Sequence, residues 1–244
     1  RGCRFCQAGF IYRPVRERSP REILKLAEAG LASTGHDELS LLALSVGDYG
    51  NIQRLLQTLM QYHRNKQVAI SLPSLRVGTL DEEMIEAIKQ VRKTGFPLAP
   101  EAGSERLRCV INKGISESDL LDTVREVYSA DWRLIKLYFM MGLPTERTED
   151  LEALVALTMK VWREAATHKP PRRLHVSVST FVPKPHTPFQ WEAQLSLAEI
   201  EKNLAFFKRS LRKKGLHFKW HKPWQSVLEG VFSRGDRRLG EVLL

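Results

Sequence analysis

Two of the three cysteines in this 244-residue chain, Cys3 and Cys6, stand in the tetrapeptide Cys-Arg-Phe-Cys. A thiol pair at this spacing can bind zinc, shuttle a disulfide or hold part of an iron–sulfur cluster. Zinc needs four ligands. The third thiol, Cys109, falls on an expected helix far along the chain, and His36, His63 and His168 fall on helices or turns at the other end of the expected fold. A redox dithiol ordinarily opens a helix, whereas Gln7-Ala8-Gly9 follows here and no helix is expected before about Pro20. An iron–sulfur site on a loop fits better, and it calls for a third cysteine from upstream. With no apolar leader at the N-terminus, three cysteines do not suggest a disulfide framework.

The elements that must position this loop follow from the hydrophobic pattern. Short apolar runs predict strands at Leu39–Val46, Val68–Leu72, Phe96–Ala99, Leu134–Met141 and Leu174–Phe181, each closed by Gly or Pro. Between them, amphipathic stretches predict helices over Pro20–Ala32, Ile52–His63, Asp81–Lys93, Glu117–Ser129, Thr148–Thr167 and Ser196–Lys214. Ser19 before Pro20, with Glu22 three positions on, is a helix start, and Ser196 is another. Strand–helix alternation means a parallel sheet with crossover helices. The fold class expected is α/β, a partial (β/α)6 TIM-like barrel whose first strand lies upstream of Arg1. Residues 1–214 form its core and residues 215–244 a short basic extension without clear periodicity. In such folds chemistry sits on the loops at the C-terminal strand ends. Here those loops carry Gly47-Asp48-Tyr49, Pro73-Ser74, Pro100–Ser104, Gly142–Glu146 and Val182–His186, with the cysteine loop at the equivalent place for the upstream strand.

These loops resemble the radical SAM superfamily. Arg1–Gly9 (RGCRFCQAG) looks like the tail of its Cys-x3-Cys-x2-Cys motif, which would place the first cysteine two residues ahead of Arg1. Gly47-Asp48 stands where the superfamily usually has Gly-Gly-Glu. Ala99–Leu107 (APEAGSERL), running to Asn112-Lys113, resembles the fourth-strand motif. Lys136–Pro144 (KLYFMMGLP) resembles the fifth-strand motif and Phe181–Phe189 (FVPKPHTPF) the sixth. The order covers about residues 1–190. The wording is closest to radical SAM proteins that carry a cobalamin-binding domain upstream, and the segment Arg234–Leu239 (RGDRRL) also looks like theirs.

What the resemblance implies is an enzyme using a [4Fe–4S] cluster to cleave S-adenosylmethionine (SAM) reductively and begin radical chemistry on a substrate. Cys3 and Cys6 would ligate iron, and Phe5 would pack near the adenine. Gly47 and Asp48 would face the methionine ammonium, with Asp48 one methylene shorter than the usual Glu and equally able to cap a turn. Glu101 would accept ribose hydroxyls. Ser104 or Lys113 would meet the cofactor carboxylate, although Ser104 also reads as a helix N-cap. Gly142 and the backbone around Val182 would flank adenine. Cobalamin would come through an upstream domain. With one cysteine outside, these 244 residues alone are expected to be inactive.

Composition narrows the partners. No run approaches 18 apolar residues, so no membrane span is expected. The formal net charge is +10, concentrated at the ends: six arginines against Glu17 in residues 1–21, and eleven basic against four acidic side chains in residues 201–244. Basic ends suggest an acidic partner. An electron donor such as flavodoxin or ferredoxin fits, as does an anionic substrate, in a reducing cytoplasm. Nucleic-acid contact through the aromatic and basic stretch Phe218–Trp224 is weighed but not favoured over packing at the barrel edge. Two alternatives stand beside the main reading: methylthiolation or methylation of RNA or protein within the same superfamily, and a non-catalytic barrel binding an acidic partner.

Overall fold

The structure, a computed structural model, describes residues 2–63, 68–71 and 95–244. Along the chain come α1 (Ala8–Ile11), α2 (Pro20–Thr34), β1 (Glu38–Ser40), a 3-10 turn (Val46–Asp48), α3 (Ile52–His63) and β2 (Ala69–Ser71). After β3 (Phe96–Glu101) follow α4 (Glu105–Val110), α5 (Glu117–Ser129), β4 (Leu134–Met141), α6 (Thr148–Thr167), β5 (Arg173–Thr180), α7 (Leu197–Ser210), β6 (Leu216–Trp220), α8 (Pro223–Arg234) and α9 (Gly240–Leu243). β1 pairs with β2, and β3-β4-β5-β6 form a four-stranded sheet in sequence order; every pairing is parallel. Parallel neighbours require crossovers, and α5, α6 and α7 supply them. The helix expected at Asp81–Lys93 and the Pro73-Ser74 loop lie outside the described residues.

Periodicity explains the layers. Residues on β3, β4 and β5 alternate between buried and partly exposed positions, so one face of the sheet is dry and the other is not. The dry face carries Phe96, Leu98, Ile135, Leu137, Phe139, Leu174, Val176 and Val178. Against it lie Leu120, Val124 and Val127 of α5, Leu154, Leu157 and Val161 of α6, and Ile200, Leu204 and Phe207 of α7. These helix positions recur at three and four residues, the spacing of a single helical stripe. Local signals set the helix starts. Ser116 and Ser196 each accept the amide of the third helical residue, whose own carboxylate accepts the cap's amide. Ser19 caps α2 and Gly35 ends it in the left-handed conformation. Among the described residues no helix is long and apolar enough to cross a membrane.

Three expectations change. The strand drawn over Leu39–Val46 is only Glu38–Ser40, and Val46-Gly47-Asp48 turn in a 3-10 helix. Leu42 and Leu44 are exposed there, so the apolar run is not a buried strand. A helical turn, α1, follows Cys6 immediately, where none was expected before Pro20; with only four residues it has no periodicity to read. Residues 215–244 do not lack regular structure: β6 extends the sheet, pairing Leu174 with Leu216 through Val178 with Trp220. Alternating Lys and His on its open side hides the apolar face made by Leu216 and Phe218.

Candidate active site

The cysteine loop is a tight turn in which the Cys6 amide donates to the Cys3 carbonyl at 3.1 Å. Both thiols are half-buried. Main-chain and side-chain ties fasten this turn to the end of α4. The Arg4 amide donates to the Ile111 carbonyl at 3.0 Å, the Arg4 guanidinium to the Val110 carbonyl at 2.6 Å, and the Asn112 amide to the Gly2 carbonyl at 2.8 Å. On its other side the Gln7 amide donates to the Pro185 carbonyl at 3.1 Å. Phe5 packs on a small apolar cluster of Ala102, Leu107, Ile111, Leu143, Phe181 and Phe189. That cluster joins residues just beyond the C-terminal ends of β3, β4 and β5. The thiols therefore sit at the mouth formed by those strand ends.

Glu101 closes β3 at a positive φ of 69°, just after a register shift against β4. A non-glycine residue in this conformation is uncommon, and the bulge re-aims its side chain. Its carboxylate pairs with Lys113 Nζ at 3.1 Å, and both side chains are largely buried. Burial pushes the Glu101 carboxyl up, opposed by the charge and hydrogen bond of Lys113. Ser104 is the N-cap of α4: its hydroxyl accepts the Leu107 amide at 3.1 Å and donates to Asp150. Gly142 has a φ of 78°, and a Cβ there would stand 2.7 Å from the Leu195 side chain. Val182 is buried beside Phe181.

Carboxylates and arginines whose roles do not show plainly in the sequence hold these pieces together. Glu146 accepts the Gly142 amide at 2.5 Å and fixes the turn after β4. Burial pushes its carboxyl up to about 7, although the Gly142 and Leu143 amides pull the other way. Asp150, at the start of α6, accepts from Ser104, from the Arg106 guanidinium and from the Arg147 amide. Burial alone would raise the Asp150 carboxyl, but these bonds outweigh it and hold it below the usual range. Arg106 also donates to the Thr145 carbonyl at 2.8 Å. Arg108 is 1% exposed and donates to the carbonyls of Ala102, Gly103 and Ile115 at 2.8–3.0 Å. Its fork thus shapes the loop after β3 from below. A signal for Glu146 was present, since a carboxylate four residues after a turn glycine can reach back to that glycine's amide. For Arg108 the signal was a lone cation between Leu107 and Ile111 on a short helix.

Cys3, Cys6, Phe5, Glu101, Ser104, Lys113, Gly142 and Val182 are thus gathered on contiguous structure. Gly47 and Asp48 belong to the turn beyond β1, where Tyr49 donates to the Arg18 carbonyl at 2.8 Å and the Gly50 amide to Glu17 at 3.4 Å. These bonds fasten that turn to the segment entering α2, not to the mouth around Glu101. The donor set can be compared with an iron–sulfur cluster. Two thiols on one turn are soft ligands of the right kind. In the motif they resemble, they would fill the last two of three cysteine positions. Cys109 is exposed on α4, and among the described residues no group of three or more His, Cys, Asp or Glu could hold a metal ion.

Comparison with known proteins decides the family. Residues 1–158 match the model of the radical SAM superfamily. This chain is a member of that superfamily. An uncharacterized protein of Methanocaldococcus jannaschii is 36% identical over 243 residues, covering 100% of this chain and 51% of the relative. A tRNA-2-methylthio-N(6)-dimethylallyladenosine synthase of Desulforamulus reducens is 25% identical over 176 residues, covering 67% of this chain and 38% of that protein. The chain therefore spans about half, or less, of the length of the curated relatives it matches. Among solved structures, Streptococcus suis SuiB bound to S-adenosylmethionine superposes with a TM-score of 0.61 at 12% identity, covering 93% of this chain and 49% of that one. Coproporphyrinogen III oxidase (HemN) from Escherichia coli, a radical SAM enzyme, gives 0.54 at 15% identity over 86% of this chain and 50% of its own. At such identities the likeness is one of fold, and the fold is the α/β barrel-like arrangement of radical SAM enzymes.

Proposed function

We propose that this chain is the catalytic core of a radical SAM enzyme, with Cys3 and Cys6 ligating a [4Fe–4S] cluster and the mouth around Glu101 holding SAM. The observation that carries the reading is the fastening of the cysteine turn, through Arg4 to the end of α4, the helix that follows β3, and through Gln7 to the loop after β5. When bound, cluster and SAM together supply one-electron cleavage of the C5′–S bond and hence hydrogen abstraction from a substrate.

The chain's own residues bind, orient and exclude water. Glu101, aimed by its bulge, accepts ribose hydroxyls, and Lys113, which pulls against the burial that raises that carboxyl, meets the cofactor carboxylate as a point charge. Ser104 supports the same end of the site from the N-terminus of α4. Gly142 flanks adenine with its backbone, in a left-handed turn against which Leu195 packs. Val182 and Phe5 give that ring apolar walls. Gly47 and Asp48 take the methionine ammonium. A flavodoxin or ferredoxin fits the basic ends as electron donor. Cobalamin in another domain of the protein is part of the proposal on the motif resemblance alone.

A second reading within the superfamily is methylthiolation of RNA, favoured by the match to a tRNA-modifying relative over two thirds of this chain. Radical chemistry itself is tested by replacing Cys6. In full-length protein reconstituted anaerobically, Cys6→Ala should lose the iron–sulfur absorption that the parent protein shows. Retention of a full cluster would remove the assignment.

A further inference from the structure

The four-stranded sheet has a second face, turned away from α5, α6 and α7 and toward the barrel interior. On it the strand register stacks side chains in rows. Lys136 of β4 pairs with His175 of β5, and His175 with His217 of β6. One step nearer the mouth, Tyr138 pairs with Ser177 and Ser177 with Lys219. A third row holds Met140 and Ser179. The row of lysine and histidines thus lies two rows beneath the Met140–Ser179 row near the strand ends, with Leu134 and Arg173 one step deeper still.

The chemistry of the two deeper rows is one-sided. The His175 and His217 rings lie 5.0 Å apart, nearly edge to face. Groups bearing on His175 are His217 and Lys219 from β6, Lys136 from β4 and Arg173 on β5 itself, and all are basic. Burial and then these neighbours hold the His175 imidazolium below its usual range. Among the described residues no carboxylate lies within ion-pair distance of Lys136, His175, His217 or Lys219, whereas Lys113, Lys160 and Lys184 each have one. Like charges gathered with no counter-ion among the described residues repel, and the arrangement becomes favourable when an anion enters. The donors are separate points, two ammonium groups and two imidazoles, rather than a planar fork. Separate point donors along one face suit a tetrahedral oxyanion better than a planar carboxylate.

We propose that this inner face binds a phosphate-type oxyanion of a small substrate, with His175, His217 and Lys219 as its ligands and Lys136, whose side chain lies over the start of β3, adding positive potential beside them. The anion sits in the deeper rows, and the remainder of the substrate extends past Tyr138, Ser177 and Ser179 toward the mouth. This rests on the radical SAM reading for its meaning as a substrate site, but binding itself needs neither cluster nor SAM.

The test follows imidazole resonances by NMR in the full-length protein, titrated with inorganic phosphate and separately with acetate. His175→Gln and the exposed His217→Gln assign the signals. The expected result is that phosphate raises the His175 pKa and shifts both rings saturably, while acetate acts at least about tenfold more weakly. Lys219→Met should raise the His175 pKa without any anion, because a cation has been removed, and should weaken phosphate about tenfold. No shift of either ring with phosphate, in protein whose spectrum is that of a folded chain, would overturn the proposal. Equal or stronger response to acetate would overturn the choice of a tetrahedral anion. Formation of 5′-deoxyadenosine in the same preparation reports separately on the radical reading, so either can fail alone.

Discussion

The mouth of this barrel is built in two ways. Around Glu101, Gly142 and Asp150 the loops are buried, and charged side chains hold backbone carbonyls and amides from below. The cysteine turn is different: none of residues 2–26 is buried, and it is fastened by hydrogen bonds at its edges and by Phe5 alone. A nucleoside needs a preformed wall, since its groups are many and weakly held. A metal cluster forms strong bonds of its own, and the energy of those bonds can order the ligands that make them. The comparison teaches that one half of the site is shaped by the fold, whereas the other half is tied down lightly, as the proposed cluster would allow.

Substitutions can break or sharpen this contrast. Arg108→Met should have the largest effect. It strands the carbonyls of Ala102, Gly103 and Ile115 in the core, a loss on the order of 3–5 kcal/mol by denaturant unfolding. Gly103→Ala comes next. Its Cβ would stand 2.1 Å from the Leu154 amide nitrogen, backbone against backbone, so α6 must move. The expected cost is roughly 2–3 kcal/mol, read as a lower melting temperature. A smaller effect belongs to Glu146→Gln. The Glu146 carboxyl lies at about 7 when folded, above the ordinary 4.5, so the folded chain holds a proton that the unfolded chain has released between those values. Stability from this group is therefore present at low pH and declines as pH rises from about 4.5 to 7. Glutamine keeps the bond to the Gly142 amide and should flatten that slope, which unfolding at several pH values would show. On the cysteine side, Gly9→Ala meets nothing within 4 Å on a helical turn and should change stability by less than about 1 kcal/mol. Equal sensitivity on the two sides would dissolve the contrast.

The same division governs what the sequence made legible. The crossover helices were readable because Ser196 is a helix start, here with a complete capping pair, and because α6 repeats its apolar stripe over twenty residues. That Cys3, Cys6, Glu101 and Gly142 lie on neighbouring loops was readable from where the apolar runs end; the chemistry they carry belongs to the proposal. Less visible were groups whose work is done by burial. Arg108 and Asp150 look like ordinary surface charges until the fold encloses them. β6 escaped because its inner face is His217 and Lys219, so only half of its alternation is apolar. The Leu39–Val46 run misled for the opposite reason, since apolar content without burial does not make a strand.

The most direct measurement of the central claim uses full-length protein reconstituted anaerobically with iron and sulfide, then given reductant and SAM. The account predicts about four irons per chain and 5′-deoxyadenosine by chromatography, with Glu101→Gln retaining the iron but yielding less nucleoside. Folded protein that takes up no iron and leaves SAM intact would contradict it, and would move the weight to a barrel that binds an acidic partner without catalysis.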